Sequence, residues 1–336
     1  MKVFVARNVH SVLPQALKYL FHEGVKRDSR NGPVLQSPVP VTTVYESPCE
    51  RVMFWPERDC NPFFHLYESL WMLAGRCDVA GPSRYAANML TYSDNGVSYH
   101  GAYGHRWRKH FYRDGAVEPF DQLKMIITRL SEDSTDRRSV LQMWDPTADL
   151  CFEGKDFPCN VSATFQINPA GKLDLSLFCR SNDIVWGAYG ANAVHFSFLL
   201  EYMAIGIGVP VGRFYQTSVN WHGYLSTLEK VAPLRDHTAV VTPYDMGDVY
   251  SLPLGSSVDS IDAGITSVLF EADHSFMNIE PLNLTSDFMV LAWQLLRVHL
   301  VYKTQGVEKA LEAIRVCESK VDWTVACREW LQRRVR

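Results

Sequence analysis

The chain has 336 residues, 47% of them hydrophobic and 21% charged, with a formal net charge of −4. That is globular composition, enough for one large domain or two medium ones. The absence of a sustained basic run argues against a nucleic-acid partner. No apolar stretch approaches the roughly 20 residues of a membrane span. The eight cysteines, at 49, 60, 77, 151, 159, 179, 317 and 327, show neither a CxxC pair nor a regular spacing. They predict reduced thiols in a cytoplasmic protein, with no disulfide framework and no metal site.

In chain order, apolar residues at helical spacing (Val12, Leu13, Leu17, Leu20, Phe21) predict a helix over residues 8–25. PVLQSPVPVTTVYES and ERVMFW then read as strands, being rich in β-branched and aromatic residues. NPFFHLYESLWMLAG predicts a buried helix with Asn61 as N-cap, Pro62 in the first turn and Gly75 at its end. Residues 76–104 read as an aromatic loop, and DQLKMIITRL as an amphipathic helix. SATFQINPAGKLDLSLFCRS predicts a β-hairpin turning at Pro-Ala-Gly. ANAVHFSFLLEYMAIGIG predicts a central, nearly all-apolar helix, and SDFMVLAWQLLRVHLVYK and VEKALEAIRVCESK predict two more. With no repeats and no low-complexity linker, a single mixed α/β (α+β) domain over residues 1–336 is expected.

Several chemistries lack their signatures. There is no GxxxxGK[ST], HExxH or GxSxG, and GIGVPVG ends a helix where a dinucleotide loop would join strand to helix. What remains is arginine and cysteine. Cys159, in FPCN, is either a small buried hydrophobe or a nucleophile. Arg30, the pair Arg137-Arg138, and Arg180-Ser181 are either solvated turns or forks for a phosphate. The guanidinium charge of such a site beside Cys159 would also lower the thiol's pKa, as nucleophilic chemistry requires.

The order RNG, HLYESLWMLAG, YGHRW, DRRSVLQMW, FPCN, RSNDIVWGAYGAN and NWHGY resembles the thymidylate synthase family, which includes the pyrimidine-nucleotide hydroxymethylases. The match runs from Arg30 to Tyr224. The resemblance implies one large twisted mixed β-sheet with surrounding helices. It also implies that Cys159 attacks C6 of a pyrimidine so that C5 can take a carbon from 5,10-methylenetetrahydrofolate, without a metal. By the same resemblance Arg30, Arg180 and Ser181 hold the nucleotide phosphate. Arg137 and Arg138 reach the partner's phosphate across a homodimer. Glu68 and Tyr103 manage water and protons around the base, His222 and Tyr224 bind the sugar, and Asp183 binds the folate.

The sequence departs from the synthases at several points. Asn160 follows the cysteine where they have histidine, and Cys179 replaces glutamine before Arg-Ser. ANMLTYSDNGVSYHGA lacks their tryptophans, and DWTVACREWLQRRVR lacks their apolar lid. A less shielded site lets water, in place of hydride, meet the one-carbon intermediate, so a hydroxymethylase is expected. One inserted residue in GAYGAN keeps the next helix in register and makes Asn192 the base-reading amide, which suits uracil or, flipped, cytosine. The altered loop favours deoxycytidylate. The rivals are a thymidylate synthase or deoxyuridylate hydroxymethylase, and an inactive nucleotide- or RNA-binding relative.

Overall fold

A computed structural model describes residues 1–237, 240–276, 284 and 286–335. Its strands are β1 (Lys2–Ala6), β2 (Val25–Arg27), β3 (Val34–Gln36), β4 (Val41–Tyr45), β5 (Val140–Gln142), β6 (Asn160–Ile167), β7 (Leu173–Asp183) and β8 (Val211–Tyr224). They form one mixed sheet in the order β1-β4-β8-β7-β6-β5, with β3 also on β8 and β2 beyond it. The long β8 is the spine: it pairs antiparallel with β4 and β3 on one side and parallel with β7 on the other. β6 and β7 are the expected hairpin, with Gly171 at φ +74° in its turn.

The helices are α1 (Val9–Glu23), α2 (Pro62–Leu73), α3 (Ala80–Ser83), α4 (Tyr103–Arg108), α5 (Gln122–Glu132) and α6 (Pro146–Asp149). They continue with α7 (Asn192–Ile207), α8 (Leu225–Val231), α9 (Val258–Asp273), α10 (Asp287–Gln305), α11 (Val307–Ala313) and α12 (Asp322–Gln332). Asn8 caps α1 by accepting from the Ser11 amide, and Asn61 caps α2 by accepting from the Phe64 amide. No described helix is long and apolar enough to cross a membrane, and all eight cysteines are free.

Some expectations change. The run 33–47 splits into β3 and β4 because Pro38 and Pro40 cannot donate to a ladder. ERVMFW is not a strand. Its Phe54 amide donates to His10 Nδ1 (3.1 Å), and its Arg51 is buried against Glu201 of α7. These side-chain partners replace a ladder. The helix expected over 307–320 stops at Ala313 and tightens into a 3-10 turn at Ile314–Val316. β1, β8 and α9 are elements that the pattern of apolar residues did not reveal.

The core lies between one face of the sheet and the helices. α7 sits at its centre, buried from Asn192 to Ala204. The opposite sheet face is bare in the single chain: Val140, Phe178 and Val219 are 43–46% exposed, and Val3 and Val5 extend the same kind of surface onto β1. α4 reaches the core because its Gly104 lies against α2, where a Cβ would come within 2.0 Å of the Met72 carbonyl oxygen. Arg106 then ties α4 in place. This fully buried guanidinium donates to both carboxylate oxygens of Asp149 (2.8 and 2.7 Å) and to the carbonyls of Met143 and His100.

Breaking such a pair strands a buried charge. Asp149→Ala is expected to destabilise the protein by about 3–5 kcal/mol, read as a lower urea midpoint at unchanged slope.

Candidate active site

α7 is buried around its whole circumference, so each of its polar side chains needs a partner inside the protein. Glu201 has Arg51 and the Leu254 amide (2.9 Å), and Ser197 bonds back to the Val194 carbonyl. Asn192 and His195, in the first turn, point instead toward the end of the sheet where Cys159 lies.

Cys159 immediately precedes β6. The Arg180 amide donates to its carbonyl (2.9 Å), which sets the two residues side by side on neighbouring strands. Arg180 Nε donates to the Pro158 carbonyl (2.9 Å), and its terminal nitrogen lies 4.0 Å from Cys159 Sγ. The Tyr103 hydroxyl, delivered by α4, accepts from the amides of Cys159 (2.9 Å) and Asn160 (3.2 Å). Its own proton is thereby free to face the site. Burial raises the Cys159 thiol's pKa, Arg180 and Arg30 oppose the rise, and Asp156 adds to it. The residue as a whole is half-buried.

Glu68, on α2, is mostly buried beside these groups. Burial pushes its carboxyl up to about 8, and the Asp156 carboxylate adds to the shift. At neutral pH it is a carboxylic acid. Asp156 accepts from the Gly101 amide (2.7 Å) and is itself raised by burial. His195 Nε2 is 3.2 Å from Glu68 Oε2. Burial lowers this histidine to about 3, so it is neutral.

Behind the thiol runs a chain of uncharged groups. Asn160 donates to Asn192 Oδ1 (3.0 Å), Asn192 donates to Asn182 Oδ1 (3.0 Å), and Asn182 donates to Ser218 Oγ (3.1 Å) and Gln216 Oε1 (3.4 Å). The Cys179 thiol donates to Asn160 Oδ1 (2.8 Å). Gly187 leaves room for this chain, since a Cβ there would meet Asn182 Oδ1 at 2.4 Å.

The other expected residues ring the cluster. Arg30 is exposed, donates to the carbonyls of Gly154 and Lys155 (both 3.3 Å) and lies over the Phe157 ring. Ser181 pairs with Asn220, and Asp183 with His222, across β7 and β8. Asp183 caps the segment Ile184–Ala191 by accepting from the amides of Val185 and Trp186, and burial raises its pKa. His222 contacts Asn220 Oδ1 (2.9 Å), and its ring stands edge-on to Tyr224 at 5.4 Å. Arg137 and Arg138 do not join this group. They are exposed in the turn after α5, and Arg138 pairs with Asp136 (2.9 Å).

The profile described as Thymidylate synthase matches residues 14–243. A Pseudomonas phage M6 protein named Deoxyuridylate hydroxymethyltransferase is 46% identical over 345 aligned positions, covering 99% of this chain and 95% of that one. The chain belongs to the thymidylate synthase family. A protein of the same name from Bacillus phage SP01 is 38% identical over 64% of this chain and 54% of its own. A third, from Delftia phage PhiW-14, is 27% identical over 52% of this chain and 49% of its own.

Asp156, His195 and Asn182 were not singled out by the sequence. Asp156 stands three residues before the cysteine, and His195 lies one helical turn after Asn192, so position relative to known candidates was the available signal. Asn160 and Cys179, noted only as departures, bond to each other. The C-terminal stretch forms α12, with Trp323 against Phe198 and Trp330 against Phe63, and Arg333 and Arg334 pair with Asp59.

The Glu68 shift has a consequence for stability. Between the usual carboxyl value and about 8, the native state holds a proton that the unfolded chain releases, so rising pH costs stability in that window. Glu68→Gln is expected to match the parent at pH 4 and to gain on it progressively up to pH 8, measured by denaturant unfolding of the ligand-free protein.

Proposed function

We propose that this protein transfers a one-carbon unit from 5,10-methylenetetrahydrofolate to C5 of deoxyuridine monophosphate, releasing the 5-hydroxymethyl nucleotide and tetrahydrofolate. The observation that carries the reading is the cluster of Cys159, Arg180, Tyr103 and Glu68 beside the Asn192 amide. The whole-length likeness to a protein named Deoxyuridylate hydroxymethyltransferase supports it. This replaces the deoxycytidylate expected from GAYGAN. With one hydrogen given to Asn182 and one lone pair used by Asn160, Asn192 keeps one donor and one acceptor. That pair suits O4 and N3–H of uracil.

In this reading Cys159 Sγ bonds to C6 and the electron pair moves through C5 toward O4, where the Asn192 N–H receives it. Arg30, Arg180 and Ser181 grip the phosphate, and the phosphate holds the guanidinium groups next to the thiol. Tyr103 stays a neutral phenol because burial holds its pKa well above the usual value. It orients the groups around C5 by donation and does not act as a standing base. His222 and Tyr224 face the sugar. The co-substrate supplies the carbon, and Asp183 with the half-exposed Trp186 ring fits a flat, hydrogen-bonding heterocycle. The packed α12 and the tryptophan-free stretch 87–102 favour water as the final acceptor over hydride.

We also propose a homodimer. The bare apolar sheet face suits an isologous contact, and Arg137 and Arg138 would complete the partner's phosphate site.

The deciding experiment is product mass with dUMP and with dCMP. dUMP is expected to gain CH2O without formation of dihydrofolate, and Cys159→Ala to give no product. A methylated product, or faster turnover of dCMP, overturns the reading. Asn192→Asp is expected to lower kcat/KM for dUMP by about 10- to 100-fold. Phe178→Arg is expected to convert a dimer to an inactive monomer in sedimentation equilibrium; a monomeric, active parent overturns the dimer.

A further inference from the structure

The buried polar groups of α7 are all matched except one. Asn192 is tied into the amide chain, and Ser197 and Glu201 have partners of their own. His195 is 4% exposed, and its Nε2 has no hydrogen-bond partner among the described residues. The Glu68 carboxyl lies 3.2 Å away but off the hydrogen-bonding direction. His65, one turn before Glu68 on α2, meets the His195 ring edge-on at 6.1 Å and closes the other side. An unmatched buried nitrogen is costly, and here it lies against Glu68, one of the carboxyls of the candidate site.

Resting on the function proposed above, we infer that His195 is a positioning residue for the hydration step, holding Glu68 so that the carboxyl can take a proton from the incoming water. The step follows transfer of the carbon, when the nucleotide carries an exocyclic methylene at C5 and a C6–Sγ bond. Water oxygen bonds to the methylene carbon, and the π pair moves to O4. Glu68 Oε1 takes the water's proton while the Oε2 proton passes to His195 Nε2. The pair then returns from O4 to form C5=C6, the C6–Sγ bond breaks, and the thiolate leaves. The proton held by His195 returns through the Glu68 carboxyl to the open side of the site. One water is consumed and nothing is oxidised. The carboxyl remains neutral throughout, and the positive charge that passes briefly to His195 is matched by the negative charge developing on O4. His195 touches Glu68 and not the nucleotide.

The test separates hydration from the earlier chemistry. Exchange of the C5 hydrogen of dUMP without folate needs Cys159 but no hydration. Adding 2-mercaptoethanol traps the exocyclic methylene as a thioether. In His195→Ala, hydroxymethylation is expected to fall about 100-fold, with C5 exchange retained and the thioether becoming the main product. His195→Gln, whose amide reaches the same position, is expected to recover part of the hydroxymethylation. Equal loss of exchange and hydroxymethylation in both variants, or unchanged hydroxymethylation in either, overturns the inference. If the parent enzyme itself makes no hydroxymethyl product from dUMP, the underlying reading fails, and that result is distinct from either outcome in the variants.

Discussion

A helix buried on every side cannot leave its polar groups to water. α7 carries five such groups, Asn192, His195, Ser197, Glu201 and Tyr202, and three of them shape the site by where they find partners. Glu201 takes the buried Arg51, which draws residues 51–54 out of any ladder and against the core. Asn192 takes Asn160 and Asn182, which lie on β6 and β7, and so locks the helix start to the strand ends beside Cys159. His195 is left facing Glu68. Replacing α7 by an apolar helix of the same shape would keep the core but leave Asn160, Asn182 and Glu68 without the side chains they face.

The electrostatics of the cluster pull in opposite directions. Burial raises Cys159, Glu68, Asp156 and Tyr103 and lowers His195, so the pocket by itself favours neutral forms. A nucleophilic thiol needs the opposite, and only Arg180 and Arg30 supply it. Neutral carboxyl and imidazole groups can move protons without creating isolated charge. A thiolate pinned by arginine keeps its charge where the bond to C6 would form. The proposed phosphate contacts serve both ends, because they hold the same guanidinium groups in place.

The fold was legible where apolar periodicity is strong. α2, α5, α7 and the β6–β7 hairpin lie where the spacing of hydrophobic residues and turn residues put them. β8 was not legible, although it is the longest strand, because its inward face carries Gly212, Phe214, Gln216 and Ser218 and so does not alternate apolar with polar. Those inward polar residues are the far end of the amide chain: the feature that hid the strand is the one that serves the site. ERVMFW failed in the converse way. It has strand composition, yet its side chains find partners that make a ladder unnecessary.

The candidate site was legible as motifs and not as a network. The structure brings Tyr103 and Arg180 to Cys159, with Glu68 near through Asp156, but the sequence gives no spacing rule for a chain of amides drawn from α7, β6, β7 and β8. The departures at Asn160 and Cys179 therefore read as two separate losses. In the fold they are partners, since the Cys179 thiol donates to Asn160 Oδ1 and Asn160 donates onward to Asn192. A charged or tautomeric ring at position 160 would break that uniform chain of neutral donors and acceptors. The Asn192 amide is thus oriented by Asn160 and Asn182, and on the proposed reading the choice of nucleotide is made through the partners behind it.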